Sequence, residues 1–199
     1  MGPRLCPNNT EVMAVSSVQI RLKPVTEADL PDYVRWLNDP EVTQFIRADP
    51  GTITLEGERE WLARINAPDR RGKTWAVEAE GQHIGNCALH PDESGLNAGF
   101  GIAIGDKTAW NKGYGTATVA EVLRIGFEDM GLHRIHLCAF AQNARAIRCY
   151  EKCGFRHEGL QRQSVLKGGQ WHDHVLMAIL RDEWEAAQQH TREGKESED

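Results

Sequence analysis

The chain lacks several features that would assign it to large classes of proteins. No apolar run approaches the roughly 20 residues that a membrane-spanning helix needs. Residues 1–17 show no basic segment followed by an apolar core, which is the pattern of a secretion signal. Basic residues are in deficit, with 23 Lys and Arg against 29 Asp and Glu. Because binding to a nucleic-acid backbone requires a basic surplus, this balance disfavours nucleic acid as a partner and tolerates a cationic one such as an amine.

Paired cysteines are also lacking. The five cysteines are odd in number, scattered, and form no C-x-x-C pair. This pattern predicts a reduced, cytoplasmic protein with free thiols. Cys149 and Cys153 lie four residues apart in a helical segment, so they are interpreted either as buried thiols or as a redox or metal-binding pair.

The domain organisation is predicted to be simple, because there is no internal repeat and no low-complexity linker. A chain of 199 residues that is 40% hydrophobic suits one compact domain with a sizeable core. We expect a flexible tail at 1–17, the domain at 18–185, and a disordered polar tail at 186–199.

The hydrophobic periodicity predicts clustered strands between helices. The order is one strand, two helices, a three-stranded meander, then helix, strand, helix and two closing strands. This order favours an α+β fold with a mixed sheet over a doubly wound one. The predicted strands are 18–23, 74–78, 83–89, 96–104, 134–140, 155–160 and 173–180, and the clearest helices are 55–66, 116–130 and 143–154.

A glycine-containing turn, Trp-Asn-Lys-Gly-Tyr-Gly-Thr at 110–116, lies between a predicted strand and a predicted helix. Glycine lets backbone N–H groups approach a phosphate, and the helix N-terminus adds a partial positive charge. The turn therefore predicts a phosphate-bearing ligand, with an ordinary tight turn as the alternative. It is not a Walker loop, since no Gly-Lys-Ser or Gly-Lys-Thr follows, and Thr118 occupies the place of the third glycine of a dinucleotide fingerprint.

A second motif covers 143–155, Asn-Ala-Arg-Ala-Ile-Arg-Cys-Tyr-Glu-Lys-Cys-Gly-Phe. Asn143 and Tyr150 are two helical turns apart and point the same way. The small side chain of Ala146 between them would let a ligand lie against that face. The alternatives are a helix N-cap for Asn143 and a half-buried core tyrosine for Tyr150.

Together the two motifs resemble those of the GCN5-related N-acetyltransferases (GNAT), and within them the branch that acetylates protein N-termini, polyamines and amino sugars. The segments Trp-Leu-Asn-Asp-Pro-Glu-Val at 36–42 and Gly-Gln-Trp at 169–171 are similar to that branch as well. The resemblance implies a mixed, mostly antiparallel sheet of six to seven strands flanked by about four helices. It also implies acetyl-CoA as the acetyl donor, and no metal.

The same resemblance implies roles for individual residues. An N–H group of the predicted strand, at Ile102, would polarise the thioester carbonyl, and Tyr150 would protonate the leaving thiolate. The implied acetyl-CoA-binding residues are Ile102, Ala103, Ile104, Trp110, Asn111, Lys112, Gly113, Tyr114, Gly115, Thr116, Ala117, Asn143 and Tyr150.

The general base is the role without an evident residue. Members of the family often carry an acid at the positions of Gly99 and Ala117 in this chain, and neither is acidic here. The candidates are Glu41, His83, His90 and Glu78, acting directly or through water, or else a substrate that arrives neutral. A covalent route through Cys138 or Cys149 is the alternative, but direct attack is favoured because no histidine is clearly placed beside either thiol.

Other histidines and tryptophans have two interpretations each. His172 and His174 share one face of a strand, as a metal pair or as residues at the rim of the substrate site. His133 and His136 flank a core strand and are predicted to be structural. Trp36 and Trp171 either line the acceptor pocket or pack in the core.

The favoured function is acetyl transfer from acetyl-CoA to a primary amine by direct attack in a ternary complex. The rivals are a non-catalytic acyl-CoA-binding or regulatory module and another kind of nucleotide-binding domain. The acceptor stays open among a protein N-terminus, a polyamine, an amino sugar and an antibiotic amine. We expect no nucleic-acid or membrane partner, and a monomer or homodimer.

Overall fold

A computed structural model describes residues 18–46, 51–68 and 70–196. The tail predicted at 1–17 lies outside these residues. No helix among them is long and apolar enough to cross a lipid bilayer.

The centre of the fold is a seven-stranded sheet in the order β1-β2-β3-β4-β5-β7-β6. All neighbouring strands are antiparallel except β4 and β5, which run parallel. This confirms the predicted mixed, mostly antiparallel sheet. The strands are β1 Arg21–Pro24, β2 Lys73–Ala79, β3 Gln82–Pro91, β4 Asn97–Ile104, β5 Arg134–Phe140, β6 Arg156–Lys167 and β7 Gln170–Leu180.

Helices cover both faces of the sheet, which gives two separate cores. The larger core lies between α4, α5 and α6 and one face of the sheet, and includes Val77 of β2. The smaller core lies between α1, α3 and Ala76, which is next to Val77 on β2 and therefore points to the opposite face. The helices are α1 Leu30–Leu37, α2 Pro40–Thr43, α3 Leu55–Ile65, α4 Tyr114–Arg124, α5 Ala144–Lys152 and α6 Arg181–Glu196.

The C-terminal part of the chain corrects the prediction of a disordered tail from residue 186. Helix α6 continues to Glu196. Its first turn is anchored by Trp184, which is buried against Phe127 at 5.4 Å between ring centroids. Arg181 also donates from its Nε to the carbonyl oxygen of Leu132 at 2.9 Å. A helix that is anchored at its first turn does not need an apolar stripe further along. The polarity of residues 186–196 therefore did not indicate disorder.

The helices of the smaller core do not reach the middle strands of the sheet, so β4 and β5 are uncovered on that side. Along β4, Ala98, Phe100 and Ile102 point into the larger core, so Gly99 and Gly101 point to the other face. Next to them on β5, His136 and Cys138 are exposed, and a Cβ built on Gly101 would meet no atom within 4 Å. These four residues, Gly99, Gly101, His136 and Cys138, define what we call the open face.

Strands β4 and β5 stay together for only three residue pairs, the last being Gly99 with His136. Beyond that pair, β4 follows β3 to Ile104 while β5 follows β7 to Phe140. The two strands therefore diverge, and we call the resulting gap the fork. Its closed end is the Gly99–His136 pair, and it opens towards the turn at 110–116.

Candidate functional site

The turn between β4 and α4 forms a cradle of backbone N–H groups at the open end of the fork. Asn111 has φ +61° and Gly113 has φ +88°, both in the left-handed region. Turns of this kind direct successive N–H groups towards a common point and bind anions. Gly113 is the N-cap of α4 and supplies no side chain to cap it. The N–H groups of Tyr114, Gly115 and Thr116 thus have no intrahelical acceptor and are oriented for a phosphate.

Positive side chains lie beside this cradle although the chain as a whole is acidic. Lys112 is exposed within the turn. The guanidinium of Arg145, in the first turn of α5, lies 4.2 Å from the centroid of the Trp110 ring. A cation held on an indole face is favourable and stays directed at the turn. The local charge therefore suits a diphosphate.

Trp110 supports the cradle through its side chain. Its indole Nε1 donates to the carbonyl oxygen of Ile104 at 2.7 Å. Together with the Arg145 contact, this ties the end of β4 to α5 across the open end of the fork. The carbonyl oxygen of Ile104 therefore already accepts a hydrogen bond from within the protein.

Replacing Trp110 with phenylalanine removes the indole donor and keeps an aromatic face for Arg145. We expect the loss of one hydrogen bond to cost about 1 kcal/mol of folding stability and to raise the KM for acetyl-CoA about threefold. Thermal unfolding and initial rates measure the two effects. The matched control is Trp75→Phe on β2, away from the turn, which should leave this KM unchanged. Equal KM changes in both variants would contradict the supporting role.

The edge of β4 that faces the fork is set by the pairing of β4 with β3. The N–H of Asp92 donates to Asn97 O, and the N–H of Gly105 donates to Ile84 O. Both bonds lie on the β3 side, and backbone groups alternate sides along a strand. The N–H groups of Ile102 and Ile104 are therefore directed into the fork.

The same alternation corrects one predicted contact. Ala103 pairs with Asn86 of β3, and its N–H and C=O point towards that strand. Ala103 therefore has no backbone group directed at a ligand in the fork. Periodicity located the strand but gave no information on which of its edges each amide faces.

Tyr150 of α5 lies on the helical side of the fork. It is 8% exposed, and its ring is 6.3 Å from that of Phe100 and 5.9 Å from that of Phe155. Its hydroxyl makes no hydrogen bond to any described residue. Burial raises the pKa of this phenol above its ordinary value, so the hydroxyl keeps its proton at neutral pH.

Asn143 caps α5, as one of its two interpretations predicts. Its Oδ1 accepts from the N–H of Ala146 at 3.2 Å. The N–H₂ half of the same amide is not used in the cap. Asn143 can therefore begin the helix and still donate to a ligand.

The thiols connect the two motifs. Cys149 Sγ lies 3.4 Å from Thr116 Oγ1, and Cys153 Sγ lies 3.7 Å from the carbonyl oxygen of Thr116. Hydrogen bonds with Cys153 and Thr116 lower the pKa of Cys149 below its ordinary value. Cys149 faces the first turn of α4, and adjacent helical residues such as Tyr150 do not face the same way. This geometry offers no support for Cys149 as a nucleophile beside Tyr150.

The sequence-predicted bases are mostly engaged elsewhere. Glu41 and Asp39 bind Lys107 Nζ at 2.9 and 2.7 Å. The two ring nitrogens of His83 contact Asp32 Oδ2 and the carbonyl oxygen of Gly85, each at 3.0 Å. Glu78 lies on β2, two strands from the fork. These contacts hold the side chains in place as part of the scaffold.

His90 is different, because it pairs with Gly99 at the closed end of the fork. It lies 3.5 Å from Arg70, and burial together with Arg70 lowers its pKa. The structure thus brings one predicted base candidate to the open face and leaves the others away from it.

His172 and His174 pack edge-on against Phe140, at 5.6 and 4.7 Å between ring centroids. Phe45, just after α2, contacts the same ring at 6.0 Å. No group of metal-ligating residues occurs among the described residues. The two histidines therefore belong to an aromatic wall near the end of β5.

Trp36 and Trp171 differ clearly in their burial. Trp36 is 5% exposed, and a Cβ on Gly105 would clash with its ring, so it is a core residue. Trp171 is 59% exposed on β7.

Sequence reasoning missed two links that join the α1–α2 region to the rest of the site. Lys107, after β4, binds Asp39 and Glu41, and Lys167 Nζ donates to Ile46 O at 2.9 Å. Both join residues more than 60 positions apart, and nothing local in the sequence marks such pairs.

Comparison with known proteins gives a consistent result. The family model for the acetyltransferase (GNAT) domain matches residues 19–156. The chain is 30% identical over 171 residues to the probable N-acetyltransferase YjcK of Bacillus subtilis, covering 82% of this chain and 94% of that protein. It is 34% identical over 152 residues to the L-amino acid N-acetyltransferase AaaT of Escherichia coli, covering 72% and 93%.

Solved structures share the fold. A crystal structure of spermidine N-acetyltransferase from Vibrio cholerae in complex with CoA and spermine superposes with a TM-score of 0.76. The match covers 83% of this chain and 98% of that one at 24% sequence identity.

Proposed function

The chain belongs to the GNAT family of acyl-CoA-dependent N-acetyltransferases, and we propose that it acetylates a primary amine by direct attack in a ternary complex. Acetyl-CoA is the acetyl donor.

The cradle fits the diphosphate of coenzyme A. It offers the backbone N–H groups of 114–116 at the start of α4, a left-handed Gly113, and the positive charges of Lys112 and Arg145. The pantetheine arm would then lie in the fork, where Ile102 and Ile104 present their N–H groups and Asn143 its amide. These features support the predicted donor site apart from Ala103.

The reaction needs a donor for the carbonyl oxygen and an acid for the leaving thiolate. The N–H of Ile102, directed into the fork, serves as the first, and loss of such a donor typically costs about 3 kcal/mol of transition-state stabilisation. The hydroxyl of the largely buried Tyr150 serves as the second, because it stays protonated and has no competing partner among the described residues.

One observation carries the proposal: the gap between β4 and β5 has Tyr150 on its helical side and the open face on its other side. A donor entering from the cradle and an acceptor entering from the open face would meet in the gap. That arrangement supports direct attack, in which the amine nitrogen reaches the acetyl carbon without a covalent enzyme intermediate.

We infer that the acceptor is a small amine from the activities of similar proteins. Two similar proteins are an L-amino acid N-acetyltransferase and a spermidine N-acetyltransferase. An overall charge of −6 is also compatible with a cationic amine.

An amine panel tests the proposal. Purified protein with acetyl-CoA is offered spermidine, an alanine-initiated peptide, glucosamine, an aminoglycoside and L-methionine, and thiol release is followed against a no-amine blank. We expect one class to raise release at least tenfold above the blank. Stabilisation by CoA without release for any amine would indicate the non-catalytic acyl-CoA-binding module. Stronger stabilisation by ATP or NAD than by CoA would contradict both.

A further inference from the structure

The closed end of the fork carries an imidazole that the sequence analysis had treated as structural. His136 of β5 pairs with Gly99 of β4, and Gly99 pairs with His90 of β3. Residues paired directly across neighbouring strands share a face, so the two imidazoles flank a glycine on the open face. His136 is exposed, and its Nε2 lies 3.7 Å from the position that a Cβ on Gly99 would occupy.

The missing side chain at Gly99 explains why His136 is accessible. A glutamate there would extend over the closed end of the fork and compete with the imidazole for the same space. With glycine, the Nε2 edge of His136 is the nearest side-chain nitrogen to that space. The imidazole therefore occupies the region where the family often places its acid.

His136 and Tyr150 lie on opposite faces of the sheet. Ile135 and Leu137, on either side of His136, are buried in the larger core with Tyr150, so His136 must point the other way. An amine arriving over the open face would pass beside His136 at the closed end of the fork, while the sulfur leaves on the side of Tyr150. A base and an acid are thus separated by the gap in which the acetyl group would lie.

The charged neighbours of His136 form ion pairs with one another, and Glu158 also lies close enough to His136 to interact with it electrostatically. On its own strand Arg134 binds Glu158 of β6 at 2.6 Å, and Arg156 of β6 binds Glu183 at 2.7 Å. Ala178, its partner on β7, is apolar. His90 and Arg70 lie beyond Gly99 on the other side. No described residue makes a hydrogen bond with the ring of His136, which leaves it for a substrate.

We propose that His136 is the general base of the acetyl transfer, an inference that rests on the proposed function. As the amine nitrogen bonds to the acetyl carbon, a proton passes from that nitrogen to Nε2 of His136, directly or through one water. The C–S bond then breaks, and the sulfur takes a proton from Tyr150. His136 returns its proton to solvent across the open face, and Tyr150 is reprotonated as the products leave.

The first test is His136→Gln, which keeps a polar side chain but cannot accept the proton. With the best amine of the panel, we expect kcat to fall about 100-fold, since a positioned base contributes roughly 10² to 10⁴. Binding of acetyl-CoA, measured by thermal shift, should be unchanged. The matched control is His133→Gln, an exposed histidine three residues earlier, which should keep full activity.

Two rescues separate loss of the base from a loss of folding. Adding imidazole to His136→Ala should raise its turnover at least tenfold. Introducing Gly99→Glu into His136→Gln should raise the turnover of that variant by a comparable factor. Gly99 tolerates a side chain because a Cβ there makes only ordinary contacts.

Full activity of His136→Gln in an otherwise active enzyme would overturn the inference and leave the proposed function standing. An inactive variant that binds acetyl-CoA but responds to neither rescue would also overturn it. Absence of turnover by the unmodified protein with every amine would overturn the proposed function, and this inference with it.

Discussion

Replacing Tyr150 with phenylalanine should lower kcat about 100-fold or more while leaving the affinity for acetyl-CoA within twofold. The substitution removes only the hydroxyl, which is the proton source proposed for the departing sulfur. Water is a poorer replacement there, because the Tyr150 residue is only 8% exposed. Thiol release at saturating amine measures kcat, and equilibrium binding measures the affinity for acetyl-CoA.

The fold should tolerate this change. The ring of Tyr150 keeps its contacts with Phe100 and Phe155, and its hydroxyl has no hydrogen bond among the described residues to lose. A fall in activity without a fall in unfolding temperature is therefore the expected signature.

Tyr33→Phe is the matched control. The hydroxyl of Tyr33 is buried and has no hydrogen-bond partner among the described residues. Its removal should leave turnover unchanged and should alter stability by no more than about 1 kcal/mol, in the stabilising direction. Equal turnover by Tyr150→Phe and the unmodified enzyme would exclude the acid role.

Replacing Gly113 with alanine should weaken acetyl-CoA binding by about tenfold or more and lower the unfolding free energy by about 1–2 kcal/mol. The residue has φ +88°, where a Cβ collides with the backbone. To relieve that strain the turn must shift, and the N–H groups at the start of α4 then lose their common direction. Isothermal titration with CoA and chemical denaturation measure the two effects.

Gly131→Ala separates strain from ligand binding. Gly131 has φ +71°, and a Cβ there meets no atom within 4 Å. It lies seven residues after the end of α4, away from the cradle, so its replacement should cost similar stability and leave CoA binding intact. Comparable losses of binding in both variants would show that the cradle geometry at Gly113 has no special role.

The local elements of this fold could be predicted because their signals are local. The helix predicted at 116–130, the cap at Asn143 and the paired strands predicted at 74–78 and 83–89 each depend on residues within a few positions of one another. The motif at 110–116 likewise located the cradle. Strand β6 was predicted too short, since it is exposed along most of its length and shows no alternation of burial.

The features that required the structure depend on pairing between distant strands. The fork exists because pairing of β4 with β5 stops at Gly99 and His136, and nothing in either strand encodes that stop. The orientation of Ala103 depends on its pairing with Asn86 of β3. His136 looked structural because it alternates with core residues on β5, and its position beside a glycine appears only when two strands are aligned.

The two cores have a consequence for the way the molecule moves. Helices α1 and α3 share a small core with Ala76, and the α2 region between them is attached by polar links such as Lys107 with Asp39 and Lys167 with Ile46. Exposed ion pairs contribute little to stability, so we expect this layer to open more easily than the sheet and α4. Amide hydrogens of α1 and α3 should exchange with solvent faster than those of β5 and α4. We therefore expect the side proposed for the acceptor to rearrange more readily than the side proposed for acetyl-CoA.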